Sequence, residues 1–94
     1  MAKIDVQVEE RKDSYLCTVT VQEGNDATRH KATVDRDDFG RLTGGDTTPE
    51  ALVRASFEFL LEREPKESIL RSFNLMIINR YFPGYEREIQ RRLS

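Results

Sequence analysis

Two side chains could drive nucleophilic chemistry near neutral pH, Cys17 and His30, and they are the only cysteine and the only histidine of the chain. A thiol becomes an effective nucleophile when a base draws off its proton, and an imidazole on a neighbouring strand could do so. Both residues, however, fall on the apolar phase of alternating segments, Cys17 between Tyr15 and Val19, His30 in step with Ala32 and Val34. There a thiol usually serves as a small hydrophobe and a histidine as a packed ring. The carboxylate pairs Glu9/Glu10, Asp37/Asp38 and Glu62/Glu64 lie among mixed charges, with no apolar surroundings that would push their proton affinities apart. The residues give no catalytic constellation and predict a protein that is not an enzyme.

Cation and anion sites fare no better. In DRDDFGRLTGGD, residues 35–46, Asp35, Asp37, Gly40 and Asp46 match positions one, three, six and twelve of a calcium-binding loop. Phe39 takes a ligand position, Asp46 is too short to replace the bidentate Glu, and a strand precedes the segment where a helix is required. A lone cysteine with one histidine cannot assemble a structural zinc site. GGDTTPE leads two glycines into a helix start that could hold an anion, but Asp46 and Glu50 oppose it and no lysine completes a phosphate loop. No metal and no cofactor is expected.

The remaining stretch with chemical character is NLMIINRYFPGYEREI, residues 74–89, where an unbroken apolar run meets aromatic and basic side chains. Tyr81, Phe82 and Tyr85 among Arg80, Arg87 and Arg91 could stack on bare bases. They could equally form a surface for a protein partner, or fill the core of a chain with no Trp and eight Phe and Tyr. A helix-turn-helix with KESILRSF as first helix and MIINRYF as recognition helix offers only Asn79 and Arg80 to read bases, too few for the major groove. Arg80, Tyr81, Tyr85, Arg87 and Arg91 are therefore the candidate partner-binding residues.

The elements that must position these residues follow from periodicity. Ile4, Val6, Val8; then Tyr15, Cys17, Val19, Val21; then His30, Ala32, Val34 alternate as strands do. ERKDS and QEGNDAT are short polar connections that suit hairpins. The opposite face, with Thr18, Thr20, Arg29, Lys31 and Thr33, should be wet. VDRDDFGRLTGG predicts a short helix or turn with Asp35 at its start, Asp38 in a capping-box position, Phe39 and Leu42 facing in, and Gly44 as the stop. Thr48 with Pro49 starts a stronger helix that runs to about Glu64, before Pro65. Its apolar residues, Leu52, Val53, Phe57, Phe59, Leu60 and Leu61, with Ser56 among them, fan over roughly 200°, wide enough to serve two layers. Pro65 starts a short helix through Phe73, Asn74 caps another from Leu75 to Phe82, and YEREIQRRL closes the chain with Tyr85, Ile89 and Leu93 in line.

FLLEREP at residues 59–65, ILRSF at 69–73 and RYFPGYE at 80–86 together resemble the C-terminal half of a set of small, functionally uncharacterised bacterial proteins. The resemblance covers about a third of the chain. It implies a cytoplasmic bacterial protein and brings no activity, ligand or catalytic residue with it.

Ninety-four residues make one domain with a modest core. The expected architecture is α+β: a three-stranded antiparallel β-meander over residues 1–34, packed against a long helix and short C-terminal helices over residues 35–94. With 37% apolar and 34% charged residues the chain is neither disordered nor membrane-spanning in composition. Its longest apolar run, Leu75–Ile78, is far short of the roughly 20 residues that cross a bilayer. The lack of a signal-like start and the single thiol suggest a cytoplasmic location. Charge is uneven: residues 1–62 hold 8 basic and 13 acidic side chains, residues 63–94 hold 7 and 4. A basic tail of that size is weak bait for a polyanion beside an acidic half. The function expected is a non-catalytic interaction or regulatory module that self-associates, as a homodimer, or binds a protein partner. The alternative is an antitoxin-like regulator that binds nucleic acid through its basic, aromatic C-terminal region.

Overall fold

The computed structural model describes residues 2–94. Three long strands, β1 (Lys3–Glu10), β2 (Ser14–Glu23) and β3 (Asp26–Asp35), pair antiparallel in chain order. The β2–β3 turn is the two residues Gly24 and Asn25, with a positive φ at Gly24 alone, the arrangement of a tight hairpin that only glycine enters without strain. Alternation sends Val6, Cys17, Val19, Val21, His30, Ala32 and Val34 to one buried face. The helices cover that face, and Thr18, Thr20, Arg29, Lys31 and Thr33 lie on the other.

Helix α1 (Arg36–Thr43) follows β3 directly and α2 (Pro49–Leu61) follows a turn through Gly44 and Gly45. Thr48 caps α2, its hydroxyl accepting the Ala51 amide at 3.1 Å. Asp35 stands at the cap position of α1 without a capping bond and instead accepts from Asn74 at 3.5 Å. Leu42 is buried as its spacing predicts, while Phe39 is half-buried, edge-on to Tyr15 at 5.5 Å.

The wide apolar arc of α2 is fully used within one chain. The helix lies between the sheet, over β1 and β2, and α4 (Tyr85–Leu93). Leu52, Val53, Phe57 and Phe59 have essentially no exposed surface. Arg54 also donates to the Ile4 carbonyl on edge strand β1, while holding Glu50 at 3.1 Å. Neither the arc nor that point of the strand edge is open to a second subunit.

The sheet is larger than the sequence predicts. Ser72–Asn74 forms β4, parallel to β3, with Phe73 opposite Ala32, so the sheet is four-stranded, mixed, and ordered β1-β2-β3-β4. The C-terminal part is therefore not wholly helical, and the helix expected from Pro65 to Phe73 is replaced by a 3₁₀ turn at Lys66–Ser68 and this strand. The same strand removes the first helix of any helix-turn-helix. A tertiary contact decides the matter: the His30 ring bonds the Leu70 carbonyl at 2.8 Å through Nδ1 and the Thr28 hydroxyl at 2.8 Å through Nε2. The carbonyl can only accept, so Nδ1 carries a proton and donates it there, while Nε2 shares a hydrogen bond with the Thr28 hydroxyl. Pinned there, residues 70–74 follow the β3 edge.

Lys66 is a second clasp. Its ammonium, only 5% exposed, lies 3.2 Å from Glu23, 3.1 Å from Asp26 and 2.7 Å from Glu67. Two of those carboxylates flank the β2–β3 turn, so the segment after α2 is anchored to the far end of the sheet. These bonds hold the Lys66 ammonium charged and keep the Asp26 carboxyl below its ordinary range.

From Asn74, whose side chain accepts the Met76 amide at 2.9 Å, a 3₁₀ turn (Leu75–Ile77) runs into α3 (Ile78–Tyr81). Tyr85, a candidate partner-binding residue, belongs to the core. It has no exposed surface, and its ring meets Phe59 at 5.4 Å. Ser56 donates its own proton to the Leu52 carbonyl at 2.8 Å, so the Tyr85 hydroxyl donates to Ser56 Oγ at 2.6 Å. Burial pushes the Tyr85 phenol well above its ordinary range.

Replacing Tyr85 with Phe should cost about 1 kcal/mol, since only one donor is lost, and Tyr85→Ala about 3–5 kcal/mol, read from chemical denaturation. His30→Ala should lift amide protection selectively from residues 70–74, because the clasp that holds β4 is gone; uniform exchange across the chain would contradict that role.

Candidate interaction surface

The residues able to do nucleophilic chemistry are placed out of reach. Cys17 is fully buried, and burial pushes its thiol up to about 11, so at neutral pH it is a protonated hydrophobe. His30 sits opposite Val19 rather than Cys17, and both ring nitrogens are engaged. Among the described residues, no group of three or more His, Cys, Asp or Glu side chains could hold a metal ion, and no helix is long and apolar enough to cross a membrane. A depression of about 630 Å³ opens beside β1 and α2 between Glu23, Glu58, Glu62 and Arg92. Arg92 claims Glu62 at 2.6 Å, which holds Glu62 low, and Arg91 together with Arg92, the latter at 2.8 Å, holds Glu88 down at about 2.

The five candidate partner-binding residues do not form one patch. Tyr85 faces inward. Arg87 and Arg91 lie one turn apart on the exposed side of α4, where Arg91 is engaged by Glu88. Arg80 and Tyr81 are exposed on α3, with Tyr81 at 65% the most open large apolar side chain. Phe82 is half-buried and packs edge-on against Phe59 at 5.8 Å. A stack of bases on Tyr81, Phe82 and Tyr85 therefore has a single free ring to work with.

Tyr81 stands instead at an apolar groove between the end of α2, the β4 approach and α3. Leu60, Ile69, Leu70, Phe73, Ile77, Ile78, Tyr81 and Phe82 line it, with Glu64 the one charged member. Leu70 is 47% exposed, so two of the three large apolar side chains left open in the described chain, Leu70 and Tyr81, share this groove. The groove encloses only about 30 Å³, whereas small-molecule pockets run from about 300 to 1,000 Å³. It has room for the tip of a side chain and suits a flat contact with another macromolecule.

Glu64 gives the groove its electrostatic character. No ion pair among the described residues uses it, and burial among apolar groups raises its carboxyl above the ordinary range. Around it the chain pairs its charges closely: Arg41 and Asn79 both reach Glu86 at 2.6 Å, tying α1 and α3 to α4, and Arg63 covers the Phe59 ring at 3.6 Å. In sequence Glu64 counts only as half of a carboxylate pair with Glu62 among mixed charges, and Leu70 as part of a short helix, although adjacent Ile69 and Leu70 cannot both turn inward from a strand approach. Ile69 is the buried member of that pair.

Comparison with protein-family models, curated proteins and solved structures returns no match.

The shifts fix the pH behaviour. Asp26, Glu62, Glu86 and Glu88 all have folded-state pKa values below their ordinary ones, so their stabilisation is present above about pH 4.5 and is lost as pH falls toward 2. Glu64 runs the other way: its charge opposes folding at neutral pH and is gone in acid. Glu64→Gln should therefore raise the urea midpoint at pH 7 and leave it unchanged near pH 3; equal shifts at both values would remove the charge from the account.

Proposed function

We propose that the chain is a small non-catalytic interaction module that contacts a protein through the Leu70–Tyr81 groove. One observation carries this reading. Among the described residues only three large apolar side chains are exposed, and two of them stand side by side around a shallow apolar groove. Scattered single apolar residues are ordinary on a protein surface, whereas a contiguous group marks a contact. Exposed aromatics beside arginine are the side chains that carry most energy at interfaces, and Arg80 adjoins Tyr81. The groove's small volume favours a surface partner over a metabolite.

The alternative, a regulator that grips nucleic acid through its C-terminal region, has less to draw on. Two of the three aromatics invoked for it are packed on Phe59, and Arg91 and Arg92 are committed to Glu88. A phosphate-centred contact would also weaken steeply with salt, whereas one centred on Leu70 and Tyr81 would change little.

The test is capture from lysate of the protein's own source cells, at physiological salt and after nuclease, with the wild type beside Leu70→Ser/Tyr81→Ser. A protein retained by the wild type in comparable molar amount should be lost from the double variant, whose melting temperature should stay near that of the wild type because both side chains are largely open. Retention unchanged by the double substitution would overturn the reading.

A further inference from the structure

We infer that the occupant of the groove is a second copy of the same chain, docked about a two-fold axis so that Tyr81 of each protomer lies against the groove of the other and Arg80 of each faces Glu64 of the other. The inference rests on the groove being a protein contact and adds its partner.

The argument is self-complementarity. A two-fold interface uses one patch twice, so the patch must carry both the anchor and its receptor, and both signs of any charge it buries. This patch does. The receptor is the groove lined by Ile69, Leu70, Phe73, Ile77 and Phe82, and the anchor is Tyr81 on its rim, 65% exposed. A phenol ring laid flat across an apolar groove with its hydroxyl toward the edge is a common interface anchor.

The charges agree. Glu64 in the groove and Arg80 beside Tyr81 take part in none of the ion pairs of the described residues, in a chain where ten other carboxylates are paired. Arg80 is exposed on α3, directly before the groove residue Tyr81 and three residues after Ile77. An unpaired base and an unpaired acid on one patch, not bonded to each other within the chain, are placed for a crosswise pair. The apolar arc of α2 is covered by the sheet and α4, and Arg54 occupies the Ile4 carbonyl on the β1 edge.

The patch is small, so the dimer should be weak and concentration-dependent. Sedimentation equilibrium up to about 0.5 mM should show a monomer–dimer equilibrium that Tyr81→Ser weakens at least about tenfold. Glu64→Arg and Arg80→Glu should each do likewise, by placing like charges face to face. The double variant Glu64→Arg/Arg80→Glu should recover association to within a few-fold of wild type, which neither a folding defect nor a generic charge effect would produce. Circular dichroism of each variant verifies the fold.

A wild type that stays monomeric over the whole range overturns the inference, and so does a dimer that Tyr81→Ser leaves intact. The reading beneath it fails separately: if the Leu70→Ser/Tyr81→Ser variant neither loses dimer nor loses a captured protein, the groove is no contact at all. A monomeric wild type whose captured partner is lost in that variant overturns only the second copy.

Discussion

The structure turns on how α2 is buried from two sides at once. A helix with an apolar arc of roughly 200° cannot be satisfied by one sheet face, and the chain has only nine residues of α4 with which to cover the rest. Tyr85 makes that possible. Its ring fills the space against Phe59 and its hydroxyl meets Ser56, the one polar side chain buried on α2, whose own proton already serves Leu52. Remove that donor and a buried polar pair is half-satisfied, which costs more than a missing exposed contact would. With α4 set in this way, Glu86 is brought to Arg41 and Asn79, and α1 and α3 are fixed in turn.

Between α2 and α4 the chain has little regular structure of its own, and polar clasps hold it instead. Lys66 ties the segment to the β2–β3 turn, and His30 ties Leu70 to β3. Each clasp leaves no open partner: Lys66 meets three carboxylates and His30 uses both nitrogens. The consequence reaches the surface. Because His30 holds the Leu70 carbonyl and Ile69 is drawn into the core, the Leu70 side chain is turned outward, beside the groove that Ile77 and Tyr81 border.

What was legible in the sequence was legible through local rules. Alternation located three strands, Gly24 and Asn25 a tight hairpin, Thr48 and Pro49 a helix start, and the spacing of Tyr85, Ile89 and Leu93 the last helix. β4 escaped because three residues are too few to show a period of two, and because Ile69, Leu70 and Phe73 mimic helical spacing. Its cause is forty residues away, in the His30 ring, and no local pattern carries that information. Tyr85 shares an apolar spacing with Ile89 and Leu93 but also stands among the aromatic and basic residues that make a candidate surface; the pocket that receives it is built by α2, and no local pattern shows that. Arg80 and Tyr81 stand among aromatic and basic residues whose types suit a core or a surface alike, and the fold leaves both side chains exposed. Glu64 was hidden as one charge among several at the end of α2.

The position of Glu64 is the least expected feature for a chain this small. A domain of this size has little stability to spare, and a partly buried carboxylate in a groove of apolar side chains opposes folding whenever it is ionised. A glutamine would fill the same volume without that cost. A second surface that brings a cation to the groove reverses the sign, since the low local dielectric that penalises a lone charge strengthens a paired one. The charge then acts as a selector: it disfavours closure over the groove by purely apolar or acidic surfaces and favours one that carries an arginine beside an aromatic anchor. Arg80 beside Tyr81 is such a surface, and every molecule that has the groove also has it.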